Sequence, residues 1–137
     1  MFNCVCKASP NPPVTKIPYF TSEFSYFHVM NVLAEFKKVT TFVFDIDGVL
    51  TDSTILLLGN GLQARRMNIK DGLGLQMAIK NGFRVVAISG SESVPVVDRL
   101  KKLGVKDMKM SVADKKSFIS EFVSENNLKW EEILYMA

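Results

Sequence analysis

Thr41-Phe42-Val43-Phe44-Asp45-Ile46-Asp47-Gly48-Val49-Leu50-Thr51-Asp52 carries a short apolar run into two carboxylates one residue apart and then a glycine. Phe42-Val43-Phe44 is aromatic and β-branched without a polar interruption, the pattern of a strand covered on both faces, as in a parallel sheet with helices on either side. In such sheets ligands bind beyond the carboxyl ends of the strands, which places Asp45 and Asp47 where chemistry is expected. Gly48 lets the chain swing away from the strand tip without a Cβ in its path.

Outward from that stretch the chain repeats the same grammar. Phe83-Arg84-Val85-Val86-Ala87-Ile88-Ser89-Gly90 reads as a second buried strand ending in a hydroxyl and a glycine. Residues 105–110 read as a third strand and Ile133-Leu134-Tyr135-Met136 as a fourth. Helices are predicted between them. One runs from the Asn68 to Asp71 region to a cap at Asn81-Gly82, with Asp71 a candidate N-cap and Lys70 a candidate solvated charge. A second starts at Ser93 or Val94 with Pro95 in its first turn and presents Val96, Val97, Leu100 and Leu103 before Gly104 ends it. A third follows Ser111 to Lys116 and turns Phe118, Ile119, Phe122 and Val123 to the core. Strands alternating with helices predict an α/β, Rossmann-like parallel sheet flanked by helices. Between the acids and the first helix, Ser53 to Leu58 and Leu62 to Ile69 flank Gly59-Asn60-Gly61. Asn-Gly between two strand-like runs is a strong hairpin signal, so a β-hairpin flap is expected. Ile55-Leu56-Leu57-Leu58 would leave it an uncovered apolar surface suited to oligomerisation, or else packed on its own domain.

At 137 residues the chain has the size of one ordinary domain. Its 47% hydrophobic and 23% charged residues are those of a globular protein, and a net charge of +3 without a basic run excludes a nucleic-acid partner on electrostatic grounds. No run of about 18 apolar residues occurs, so no membrane span or membrane partner is expected. Cys4 and Cys6 are badly spaced for a mutual disulfide, and with His28 the sole histidine they do not form a zinc site; they read as free thiols of a reducing, cytoplasmic compartment. Pro10, Pro12, Pro13 and Pro18 break any regular element, so residues 1–29 are expected to be a disordered leader, with Met30 the native start and a folded domain over 30–137.

Asp45-Ile46-Asp47-Gly48-Val49-Leu50-Thr51-Asp52 resembles the first motif of the haloacid dehalogenase superfamily of phosphatases, Asp-x-Asp-Gly-x-Leu/Val-Thr/Ser-Asp. The resemblance implies that Asp45 attacks phosphorus to form an aspartyl-phosphate, while Asp47 protonates the leaving oxygen and later activates water. It makes Ser89 and Gly90 the second motif, contacting phosphate oxygens, and Lys115 the third-motif lysine that neutralises charge shared by the nucleophile and the phosphoryl group. Magnesium is the implied cofactor, held by the Asp45 carboxylate and the Asp47 backbone carbonyl. Asn68-Ile69-Lys70-Asp71-Gly72 after a hairpin is similar to the capless, tetrameric 3-deoxy-D-manno-octulosonate 8-phosphate phosphatases of lipopolysaccharide synthesis. That likeness implicates Asn68, Ile69, Lys70, Asp71, Gly72, Gln76 and Arg99, with Asp47 and Lys115, in binding an eight- or nine-carbon sugar-acid phosphate, and implies a homotetramer.

The chain departs from the pattern twice. Where the family often has Thr-Gly-Arg it has Ser89-Gly90-Ser91, losing a bidentate donor. Ala137 stands where the glycine before the fourth-motif acids would be, so those metal ligands and the following strand and helix are expected to be absent and the chain to turn over poorly. A noncatalytic, phosphatase-like oligomerisation module is the alternative, and a receiver domain phosphorylated on Asp45 a third reading.

Overall fold

The computed structural model describes residues 34–59 and 61–137. The expected leader over 1–29 and the start at Met30 lie outside them, as does Asn60.

Four strands form the main sheet: β1 (Thr41–Asp45), β4 (Arg84–Ile88), β5 (Asp107–Lys109) and β6 (Ile133–Met136). Their order is β5-β4-β1-β6 and every pairing is parallel. β1 is therefore central, with Val43 opposite Val86 on one side and Tyr135 on the other. Alternate side chains of these strands feed two separate cores, as the period of two demands. Val85 and Ala87 pack with Leu75 of α1 (Ile69–Lys80) and Val96, Leu100 and Leu103 of α2 (Val94–Lys102). Val43, Val86 and Ile88 pack on the opposite face with Ile119, Phe122 and Val123 of α3 (Lys115–Glu125). The α/β sheet covered on both faces is thus the expected one.

The helices start and stop for local reasons. Asn68, not Asp71, caps α1, its side chain accepting from the Lys70 N–H at 2.9 Å, because Asn68 is still extended just before the helix starts at Ile69, which leaves Asp71 inside the first turn. Gly82 at φ +86° and Gly104 at φ +93° carry the chain out of α1 and α2 through left-handed conformations that a side chain disfavours. Asp114 caps α3 by accepting from the backbone of Lys116 and Ser117.

Between β1 and the hairpin the chain makes one wide helical turn, Ile46–Leu50, broken at Gly48, whose φ of +91° is what the sequence required of that glycine. The hairpin consists of β2 (Thr51–Leu57) and β3 (Gln63–Met67), antiparallel and forming a two-stranded sheet of its own. It closes through a wider loop than a two-residue turn: Leu58 N–H donates to Leu62 C=O and Gly61, at φ +77°, donates to Leu58 C=O. Ile55, Leu56 and Leu57 are 52%, 63% and 74% exposed, so this end of the hairpin is uncovered, while at its base Thr51 is buried and Met67 packs against the core beside α1 and α2.

A carboxylate pair at the tip of the central strand

Asp45 ends β1 with its side chain nearly buried. Its Oδ1 accepts from the Ile46 N–H at 2.9 Å, and its Oδ2 meets Lys115 Nζ at 2.5 Å. The lysine arrives from the first residue of α3, so the helix cap at Asp114 also fixes the cation that faces the strand tip. Tyr135 of β6 is close to the same pair. Burial and the Asp45 carboxylate push its phenol above the ordinary value, against a smaller opposing pull from Lys115.

Two residues on, Asp47 reaches into a hydroxyl and guanidinium cluster. Ser89, fully buried at the end of β4, donates to Asp47 Oδ2 at 3.0 Å, and Ser91 donates to the same oxygen at 2.8 Å. Each serine carries one hydroxyl proton and has given it to Asp47, so the 3.0 Å approach of the two hydroxyl oxygens is a shared acceptor geometry and not a further bond. Arg65 of β3 donates Nε to Asp47 Oδ1 at 2.7 Å and Nη2 to Ser91 Oγ at 2.9 Å. Burial alone would raise the Asp47 carboxyl; the hydrogen bonds from Ser91, Arg65 and Ser89 outweigh it and hold the group below the usual carboxylate value. In this arrangement Asp47 is an anion with three donors.

Ser89 is located by the chain beyond its strand. Its N–H donates to Lys109 C=O and its C=O accepts from Val112 N–H, so the loop after β5 clamps the loop after β4. Gly90 is exposed, and a Cβ built there would approach only Val112 O at 3.7 Å, which leaves open space above the serine.

The residues expected to touch a sugar acid form a second group. Asn68, the N-cap, and Ile69, Lys70, Asp71 and Gln76 of α1 are exposed. Gly72 is buried against α2, where a Cβ would come to 3.1 Å from an Arg99 guanidinium nitrogen and 3.3 Å from Leu103. Arg99 therefore sits over the first turn of α1 and not beside Asp98. Among the described residues no hydrogen bond or ion pair joins this group to Asp45 or Asp47. Arg65 is the site residue that sequence reasoning missed. Its signal was the pairing of an arginine on the hairpin with the absence of one after Ser89-Gly90.

The donor set at the strand tip is hard oxygen throughout, and among the described residues no three His, Cys, Asp or Glu side chains gather into a metal cage. Oxygen donors such as the Asp45 carboxylate and the Asp47 carbonyl suit magnesium, which takes one or two carboxylates and keeps its remaining sites for water and phosphate.

Comparison with known proteins finds relatives of the whole α/β unit. A 3-deoxy-D-manno-octulosonate 8-phosphate phosphatase KdsC of Escherichia coli K12 is 26% identical over 106 residues, which are 77% of this chain and 56% of that protein. A Pseudomonas syringae pv. phaseolica 1448A protein assigned to the YrbI family of phosphatases is 30% identical with a TM-score of 0.74, over 77% of this chain and 60% of that one. The Moraxella catarrhalis 3-deoxy-D-manno-octulosonate 8-phosphate phosphatase, solved with magnesium, phosphate and KDO, is 26% identical with a TM-score of 0.75, over 79% of this chain and 62% of that one. The fold is that of the haloacid dehalogenase superfamily. No family model matches the chain. The chain spans little more than half the length, 56%, of the curated relatives it matches.

Proposed function

We propose that the chain carries the phosphoryl-transfer site of a phosphomonoesterase that hydrolyses the phosphate of an eight- or nine-carbon 3-deoxy-2-ulosonic acid, in surface-polysaccharide synthesis. The single observation that carries this reading is the juxtaposition at one strand tip of Asp45 paired with Lys115 and, two residues later, Asp47 paired with buried Ser89. A carboxylate held by an ammonium is an oriented nucleophile, and the adjacent carboxylate can serve a leaving group on the same side of the chain.

Asp45 attacks phosphorus as its bond to the sugar oxygen breaks, and Asp47 gives that oxygen a proton. Water then attacks the aspartyl-phosphate, Asp47 takes its proton, and Asp45 is released with inorganic phosphate. For the first step Asp47 must carry a proton, which the donors around it oppose in the free protein. An incoming phosphoryl group supplies acceptors for Ser89, Ser91 and Arg65, and drawing them off frees Asp47 to act as the acid. Lys115 stays with Asp45 and offsets the repulsion between an anionic nucleophile and an anionic substrate. Magnesium, held by Asp45 and the Asp47 carbonyl, supplies Lewis-acid charge stabilisation when bound. Asn68, Ile69, Lys70, Asp71, Gln76 and Arg99 meet the sugar acid, with Lys70 or Arg99 suited to its carboxylate, while Gly72, buried against α2, sets how closely Arg99 approaches the first turn of α1. The uncovered hairpin is suited to a homotetramer. Among the described residues no helix is long and apolar enough to cross a membrane, and a cytoplasmic sugar-phosphate substrate suits that.

The test is phosphate release from 3-deoxy-D-manno-octulosonate 8-phosphate and its nine-carbon analogue, with magnesium and with chelator, for this chain and for Asp45→Asn. The expected result is magnesium-dependent release that falls about a thousandfold or more in the variant. Equal release by Asp45→Asn would overturn the nucleophile assignment. A folded chain that releases phosphate from neither substrate would favour the noncatalytic module.

A further inference from the structure

We propose that Arg65 of the hairpin is a substrate-binding residue that contacts the transferred phosphoryl group. The inference rests on the phosphatase reading above and deepens it.

Arg65 is the anomaly of its strand. Along β3 the side chains of Gln63 and Arg66 are open to water, and Arg66 pairs with Asp52 at 81% exposure, the ordinary state of a surface arginine. The Arg65 side chain is only 4% exposed. An arginine tucked in this way from an open hairpin is held by something, and what holds it is the site: Asp47 through Nε and Ser91 through Nη2. These bonds use two of the five N–H groups of a guanidinium, so the planar fork is anchored at one side while further donors remain for a ligand. The anchoring partners are the same groups that frame the phosphoryl position in the proposed mechanism.

Charge points the same way. The strand tip holds two carboxylates, Asp45 and Asp47, and Lys115 answers one of them. Arg65 answers the other. With both cations the four side chains sum to zero formal charge, and a phosphate dianion approaches a neutral cluster and not a net anion. A purely mechanical role, fastening the hairpin to the sheet, would be met by any residue that reaches Asp47. It would not call for a guanidinium whose second nitrogen is placed on Ser91, where a fork can pass from carboxylate to phosphate without losing its serine anchor.

The experiment measures binding of inorganic phosphate in magnesium buffer by calorimetry, together with KM and kcat for 3-deoxy-D-manno-octulosonate 8-phosphate, in the unaltered chain, Arg65→Lys and Arg65→Met. Hydrogen exchange of the hairpin is followed in each. We expect phosphate affinity to fall about tenfold or more in Arg65→Met, with a rise in KM, and to recover in part in Arg65→Lys, which keeps the charge but not the fork. Hairpin exchange in Arg65→Lys should match the unaltered chain. Unchanged phosphate affinity in either variant that retains the hairpin would overturn the proposal and leave the phosphatase reading standing. Loss of affinity in both variants only in proportion to a loosened hairpin would also overturn it, as a fastening role. Failure of the unaltered chain to bind phosphate would sink both readings, whereas phosphate binding without turnover would remove the catalytic reading and still test Arg65.

Discussion

The strands of the main sheet and the Ile55-Leu56-Leu57 end of the hairpin are both apolar runs and meet opposite fates. In β4, Val85, Val86, Ala87 and Ile88 are at most 4% exposed, whereas in β2 Leu57 alone is 74% exposed. The sheet is held from inside by two cores, one on each face, and its polar groups at the tip inherit positions fixed by that packing. The hairpin has no ladder to the sheet. Among the described residues its side-chain polar ties beyond its own two strands are those of Arg65 to Asp47 and Ser91 and of Thr51 Oγ1, which accepts from the Gly48 N–H in the turn after β1. Asp45 therefore sits on the part of the molecule that burial makes rigid, and Asp47 sits at the seam with the part that burial holds less.

The largest effect should come from breaking the sheet side. Leu100 of α2 is wholly buried against Val85, Ala87 and Leu103. Leu100→Ala removes that contact and leaves a cavity, with an expected loss of about 2–5 kcal/mol in chemical denaturation. The same loss should appear whether unfolding is followed at the sheet or at the hairpin, because the wide turn after β1 ties the two. A loss under about 1 kcal/mol would mean that the helix layer collapses onto the gap and that the contrast between the regions is weaker than exposure suggests.

Acid should separate the regions at lower cost. The Asp47 carboxyl is depressed below its ordinary 3.8, by hydrogen bonds from Ser91, Arg65 and Ser89 acting against burial. A depressed carboxyl contributes stability that is present above its unfolded value and is lost as pH falls through its folded value. The window thus opens near pH 3.8 and extends below it. Because the Asp47 side chain is 38% exposed, screening limits the contribution to about 1 kcal/mol or less. Hydrogen exchange in chelator should show amides of β2 and β3 losing protection in that window ahead of those of β1 and β4. Simultaneous loss would show that the carboxylate latch is not what ties the hairpin down.

The same contrast explains what could be read from the amino acids. Strands with both faces covered announce themselves as unbroken apolar runs, so β1, β4 and β6 were legible. Their ends were less so: the run 83–90 forms a ladder only over Arg84–Ile88, because Ser89 leaves it to bond Lys109 and Val112. Residues 105–110 shrink likewise to Asp107–Lys109, where β5 has a single partner strand. Asp45, Asp47, Ser89 and Lys115 converge as their motif spacing implied. Arg65 stayed hidden because Arg65-Arg66 in a polar strand reads as two solvated charges. Only the register shows that alternate residues of an open hairpin face different surroundings, Arg65 inward and Arg66 to water. Asp71 was a reasonable cap by type, yet Asn68 took the role because its side chain reaches Lys70 N–H from outside the helix.

The smallest effect on stability should come from the most apolar exposed residue of the hairpin, and there the informative readout is a different one. Leu57 lies opposite Gln63 in the β2–β3 pair and buries little of itself within the chain. Leu57→Ser should change the unfolding free energy by no more than about 0.5 kcal/mol, since little apolar area returns to water. If the hairpin row of Ile55, Leu56 and Leu57 covers itself against another copy, the variant should instead shift sedimentation toward smaller species while leaving the monomer as stable as before. A destabilisation near that of Leu100→Ala with no change in sedimentation would mean that Leu57 is buried within its own chain in solution. The hairpin would then be a part of the core, and the division between a rigid sheet and a latched flap would fail.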